Sequence, residues 1–328
     1  MTDYTETALR CLELYGLRPT RIDFIRHNEN ITFYVELSCH HTPVVLRLHK
    51  PMMSGLVKDF RTPRAVKSAL EWMMAIADDT AIAVQKPIRS KEGELVGKVK
   101  DHNEETIHCS ILEWIDGIIL DQEHRRAESH IRAFGTVVAE LHNHSSYWSR
   151  PKDFWRPSYG NQFLEGVAAR IEPGLESDLF TKNAFDQIKL AIDKIISFVE
   201  SARDKSGHWG LVHADLQGGN LLVHGDEIRP IDFTMCGWSP YLFEIGMAVS
   251  CLQAKWRQCF LASYEAVRPL ETSALIQMEA GAIQGILAAF SYHISNPPSH
   301  EWIARRVPIV AGEYCGKFLN DQHFLFDM

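Results

Sequence analysis

The chain has 328 residues, 45% hydrophobic and 23% charged, an ordinary composition for a globular protein with enough length for two cored lobes. A net charge of -8 argues against a nucleic-acid binder, because phosphate neutralisation needs clustered Lys and Arg. The 7 cysteines are odd in number and form no C-x-x-C, so they read as reduced thiols of a cytoplasmic chain.

Met1–Glu6 lacks the basic and apolar regions of a signal peptide. The apolar run Ala280–Ala289 is too short to span a bilayer and contains Gln284, so no membrane partner is expected. Thr5 to Tyr15 has helical spacing and stops at Gly16. Ile22–Arg26 and Ile31–Leu37 read as strands joined by the polar turn His27-Asn28-Glu29-Asn30, and Val44–His49 is a third strand ending near Pro51. Pro63 to Ala77 is a helix by the spacing of Val66, Leu70, Met73 and Ala77. Ala83–Arg89 and Glu94–Val99 follow as strands, with a hairpin around Gly93. Gly93–Val99 is too short for a G-x-x-x-x-G-K-[ST] phosphate loop and lacks its Ser or Thr. Thr106–Leu112 closes the strand-rich half, and Glu113-Trp114-Ile115-Asp116-Gly117 ends it.

Helices then dominate: Glu128 to His142, Ala184 to Ala202, Tyr241–Gln253, and two or three segments from Lys255 to Phe326. His142-Asn143-His144 is no metal site, since no second cluster completes it; a His near a helix C-terminus meets the dipole favourably. Trp148, Phe154 and Trp155 lie in a proline-containing loop, as core anchors or as lining of a cleft. Glu279 and Glu313 are acidic candidates for a substrate cleft, with surface charge as the default reading of each.

The informative stretch is Leu211 to Val223, with His213-Ala214-Asp215-Leu216-Gln217-Gly218-Gly219-Asn220 between apolar strands, followed by Ile231-Asp232-Phe233. A loop Asp, an Asn five positions on and an Asp after a later strand is the order used in phosphoryl transfer, where one Asp takes the hydroxyl proton and the other two groups hold metal. Each residue alone is also a common turn former. The box resembles the H-G-D-L-H-x-x-N motif of the aminoglycoside phosphotransferase family, which includes choline and homoserine kinases. Ala214 for Gly and Gln217 for His are its departures.

The resemblance implies an α+β, two-lobed protein-kinase-like fold. Residues 1–115 would form an antiparallel sheet with helices as the nucleotide-binding lobe, and 116–328 a mainly helical catalytic and substrate lobe. It implies Asp215 as catalytic base, Asn220 and Asp232 as metal ligands, Asn30 in the turn over the phosphates, and a hinge at Glu113 and Ile115 whose backbone binds adenine. Arg47 stands where kinases carry a strand Lys, as a phosphate ligand or as a strand charge facing water. The helix Glu that pairs with that cation aligns with Ala69, and Glu71 lies about 200° around the helix. His213 and Glu244 would brace the loop, and Thr234 stands where an acid is common. No long activation segment follows Asp232. The implied activity is phosphorylation of a small-molecule hydroxyl, its acceptor compatible with positive charge, using ATP (GTP remaining open) and Mg²⁺. A stress-response-type protein Ser/Thr kinase and a degraded kinase acting as a binding protein are the alternatives. The sequence does not set the oligomeric state.

Overall fold

The computed structural model describes residues 4–27, 30–38, 42–50, 55–101, 103–122 and 127–328; Asn28 and Glu29 of the expected turn, Cys39 and Pro51 lie outside the described residues. Chain contacts divide the protein into two compact units. The first holds Met1–Ile118, Ser149–Arg156 and Arg229–Thr234; the second holds Ile119–Trp148, Pro157–Ile228 and Met235–Met328.

In the first unit, β1 (Pro19–His27), β2 (Asn30–Leu37), β3 (Val44–His49), β4 (Pro87–Ile88), β5 (Gly97–Lys100) and β6 (Thr106–Glu113) form an antiparallel sheet. The order is β1-β2-β3-β6-β4, with β5 also on β6. Helix α1 (Thr5–Leu14) buries Ala8, Cys11 and Leu12 against Ile31, Phe33, Leu46, Leu48 and Ile111. Because strand side chains alternate, Arg47 and His49 take the opposite face from Leu46 and Leu48.

The expected hairpin of Ala83–Arg89 with Glu94–Val99 is not formed. Pro87–Ile88 pairs with Ile111 and Leu112, and Gly97–Lys100 pairs with Thr106–Cys109. The two short strands lie end to end along one edge of β6, so they cannot pair with each other. A tight turn, Ser90 N–H to Glu94 O at 2.8 Å, joins them.

Helix α2 (Pro63–Asp79) starts on Thr62, whose hydroxyl accepts from Ala65 N–H at 3.2 Å, with Pro63 in the first turn. The two returning segments pack on this helix. Trp72 meets Phe233 edge-on at 5.5 Å, and Trp155 N–H donates to the Ser68 hydroxyl at 2.9 Å. Buried Arg156 donates to Ala65 O at 2.8 Å and Thr234 O at 2.6 Å, tying both segments to the first turn of α2.

Past β7 (Ile118–Ile119), the second unit is mainly helical. It contains α3 (Glu128–Tyr147), α4 (Asn161–Ile171) and α5 (Lys182–Asp204). Strand β8 (Trp209–Val212) follows, then β9 (Leu221–His224) and β10 (Glu227–Pro230). Next come β11 (Gly237–Pro240), α6 (Tyr241–Ser250), α7 (Ala254–Val267), α8 (Ala274–His293), α9 (His300–Ile309) and α10 (Gly316–Leu319). Strand β8 pairs with β11 antiparallel. Glycines let α6 and α8 cross closely. An added Cβ at Gly246 would lie 1.7 Å from Met278 O, and one at Gly281 2.3 Å from the Phe243 backbone.

Helix α8 corrects two expectations. At 20 residues, with a mean hydropathy of 1.3 over an 18-residue window, it passes the length and composition of a membrane span. The ten-residue apolar run understated it because Gln277, Glu279 and Gln284 interrupt the pattern, yet most of this helix is buried within its unit. Glu279 is not a surface charge but fully buried. Its Oε1 accepts Phe324 N–H at 2.5 Å and Leu325 N–H at 3.0 Å, satisfying two buried amides of the C-terminal segment. Glu313 is exposed, as expected.

Candidate active site

Strand β8 runs into the loop His213–Gln217 and a 3-10 turn at Gly218–Asn220. Asp215 is half-buried and its carboxylate is held on both oxygens. Oδ2 accepts from Asn220 Nδ2 at 2.6 Å, and Oδ1 from Gln217 Nε2 at 3.0 Å. Asn220 Nδ2 also donates to Asp215 O at 3.0 Å. With the amide nitrogen committed to Asp215, the Asn220 oxygen accepts no hydrogen bond among the described residues. Buried His213 accepts Asp215 N–H on Nδ1 at 3.3 Å, so it braces the loop as expected, with its proton on Nε2.

Ala214 sits at φ 63°, a left-handed conformation that strains any residue with a Cβ. Its N–H donates to Glu244 Oε1 at 2.5 Å, and Glu244 is 1% exposed. The other oxygen, Oε2, pairs with His142 Nε2 at 2.7 Å, and His142 Nδ1 meets the Tyr264 hydroxyl at 2.9 Å. Burial lowers the His142 pKa against the opposing pull of Glu244. A neutral ring fits both bonds: Nε2–H donates to the carboxylate and Nδ1 accepts from Tyr264. The helix-end reading of His142 is therefore corrected. Helix α3 continues to Tyr147, and His142 is a buried link behind the loop. Tyr264 escaped the sequence reading, and so did the link of His142 to it, since the contact joins residues 122 apart.

A second carboxylate overlies the loop. A Cβ at Gly218 would lie 1.9 Å from Asp121 Oδ1, so the glycine lets Asp121 approach the turn.

In the first unit, Arg47 is 8% exposed, which removes the reading of a strand charge facing water. Its Nη1 lies 3.4 Å from Asp232 Oδ1, and its Nη2 donates to Gln85 Oε1 at 3.3 Å. The acid that pairs with the strand cation is therefore Asp232, and not a residue of α2: Ala69 is buried, and Glu71 pairs with Lys67 at 2.8 Å. Asp232 has φ 67° and also accepts from Thr234 Oγ1 at 2.7 Å and Arg26 Nη2 at 3.1 Å. Asn30 opens β2, half-buried and in register with His49.

At the expected hinge, Glu113 N–H donates to Lys86 O at 2.8 Å and Trp114 N–H to Pro43 O at 2.9 Å. Ile115 N–H donates to no carbonyl among the described residues. Asp215 and Asn220 are thus brought together in the second unit. Arg47 and Asp232 are brought together in the first, where Asn30, Glu113 and Ile115 also lie.

Residues 24–274 match the phosphotransferase enzyme family. The homoserine kinase of Parvibaculum lavamentivorans is 22% identical over 266 residues, covering 75% of this chain and 76% of that one. The solved structure of a microcompartment-associated aminopropanol kinase superposes with TM-score 0.77 at 23% identity, covering 97% of this chain and 98% of that one. An amicoumacin kinase in complex with AMP-PNP and Ca²⁺ gives TM-score 0.75 at 15% identity, covering 98% and 94%. The fold is the kinase-like α+β fold expected from the sequence.

Proposed function

The chain belongs to the phosphotransferase enzyme family and phosphorylates a hydroxyl of a small molecule, and we propose that it uses ATP with Mg²⁺ and takes an amino alcohol as acceptor. The observation that carries this reading is the Asp215–Asn220 pair. A loop carboxylate is oriented by an amide whose own oxygen stays uncommitted.

In this reading the acceptor hydroxyl replaces exposed Gln217 at Asp215 Oδ1. Its proton passes to the carboxylate as the new O–P bond forms and ADP leaves. Arg47 contacts the α- and β-phosphates, Asn30 belongs to the turn over the phosphates, and backbone groups of Glu113 and Ile115 hold adenine. Asn220 Oδ1 and the Asp232 carboxylate are the proposed metal ligands. The donor set fits: both are hard oxygens, and Asp232 already attracts cationic partners. Mg²⁺ bound there would neutralise charge on the transferring phosphate.

The acceptor class is supported by Asp121 beside the loop, whose charge suits an ammonium group. It is supported also by the relatives named for homoserine and aminopropanol. Free thiols at the described cysteines support a cytoplasmic location.

The test compares wild type, Asp215→Asn and Asp232→Ala by nucleotide titration and ADP release. Acceptors would be homoserine, aminopropanol and matched alcohols without the amine. Asp215→Asn should keep nucleotide binding and lose turnover by about 10²-fold or more. Turnover within a fewfold of wild type would remove Asp215 as the base. Equal use of amine-free alcohols would remove the acceptor class.

A further inference from the structure

A second arginine faces the carboxylate read as a metal ligand. Arg26 Nη2 lies 3.1 Å from Asp232 Oδ2, while Arg47 Nη1 lies 3.4 Å from Oδ1. Strand alternation alone would not put Arg26 there. β1 and β2 keep one register from Ile22 opposite Val35 through Phe24 opposite Phe33, then shift by one residue, so that Arg26 stands opposite Thr32. Thr32 stands opposite Arg47 on β3. Directly opposed residues share a face, so the extra residue, Ile25, turns Arg26 onto the face of Arg47. In the unshifted register Ile25 would occupy that place. Bulges of this kind re-aim side chains and are common beside active sites.

The two arginines differ in freedom. The Arg47 side chain is 10% exposed and also held by Gln85; that of Arg26 is 46% exposed. A divalent cation on Asp232 would repel Arg26, and the phosphates it carries would offer new anionic oxygens. We propose that Arg26 is a further nucleotide-phosphate ligand, whose guanidinium exchanges Asp232 for a β- or γ-phosphate when the metal–nucleotide complex binds. The guanidinium fork fits carboxylate and phosphate alike, so the exchange trades one charge-assisted pair for another. Arg47 keeps its place.

This inference rests on the reading of Asp232 as a metal ligand. Calorimetric titration of wild type, Arg26→Gln, Arg26→Lys and Asp232→Ala with Mg²⁺·AMP-PNP, and separately with adenosine, tests it. Arg26→Gln should weaken Mg²⁺·AMP-PNP about tenfold and leave adenosine unchanged, with Arg26→Lys recovering part of the loss. Unchanged affinity would make Arg26 a surface ion pair, and tightened affinity would make it only a competitor of the metal; either overturns the proposal. Asp232→Ala is read on its own. If it keeps metal-dependent binding, the metal assignment fails whatever the Arg26 variants do, and the exchange falls with it. Unchanged melting of Arg26→Gln without ligand confirms that it folds.

Discussion

Glu244 is the residue on which the geometry of the catalytic loop should depend most. It is 1% exposed and makes no contact with a reacting group in the proposed chemistry. Its two oxygens satisfy two buried donors, Ala214 N–H at 2.5 Å and His142 Nε2 at 2.7 Å. Glu244→Ala strands both donors and should cost about 2–6 kcal/mol, at about 1–3 kcal/mol for each donor left unsatisfied. Glu244→Gln keeps one acceptor oxygen but turns an NH₂ toward the other donor. It should cost about 1.5–3 kcal/mol, the worth of one hydrogen bond to a charged group. The assay is urea unfolding followed by tryptophan fluorescence, with midpoints compared at unchanged slope. Turnover should fall in both variants by more than nucleotide affinity does, because Ala214 positions the neighbouring Asp215. A Glu244→Ala variant within about 1 kcal/mol of wild type, with turnover intact, would refute the reasoning.

Ala214→Gly relieves the cost of a Cβ at φ 63° and should raise stability by up to about 1 kcal/mol in the same unfolding assay. Burial, with Arg47 next to it, lowers the His49 pKa to about 3, while the unfolded imidazole titrates near 6.5. Between these values the unfolded chain binds more protons, so this group's contribution is whole above pH 6.5 and is lost as pH falls toward 3. The slope is at most about 1.4 kcal/mol per pH unit. His49→Gln, which can keep the bond to Ser110, should flatten the stability difference between pH 7 and pH 5. Glu279→Ala strands the Phe324 and Leu325 amides, at about 1–3 kcal/mol each, and should speed proteolysis of the C-terminal segment before the rest of the chain.

What was legible in the sequence was local. Helix α2 and strand β3 follow from the spacing of apolar residues along a few turns or a few residues, and their limits agree closely with the pattern. The Asp215–Asn220 pair was legible for the same reason: five residues of chain fix it, with turn formers between. The partner of Arg47 was not. A search along α2 for an acid fails because the partner is Asp232, 185 residues away. Asp232 comes close only because Arg229–Thr234 returns to the first unit, under Arg156 and against Trp72.

Glu279 misled in the same way, since helical spacing shows which residues share a face and not which later segment will cover it. The one-residue shift at Ile25 leaves no local signature at all, yet it decides which β1 side chain stands beside Arg47. Ala214 lies between these cases: its departure from glycine is visible in the sequence, but its cost appears only with φ 63° and a buried carboxylate on its N–H. Asp232 has the same backbone sign at φ 67°. Two strained non-glycine residues, one beside the proposed base and one the proposed metal ligand, persist because buried Glu244 holds the first while Arg47 and Thr234 hold the second. The groups that hold the strain are therefore as much part of the site as the carboxylates they position, and of them only Glu244 was expected, from the family resemblance, to brace the loop.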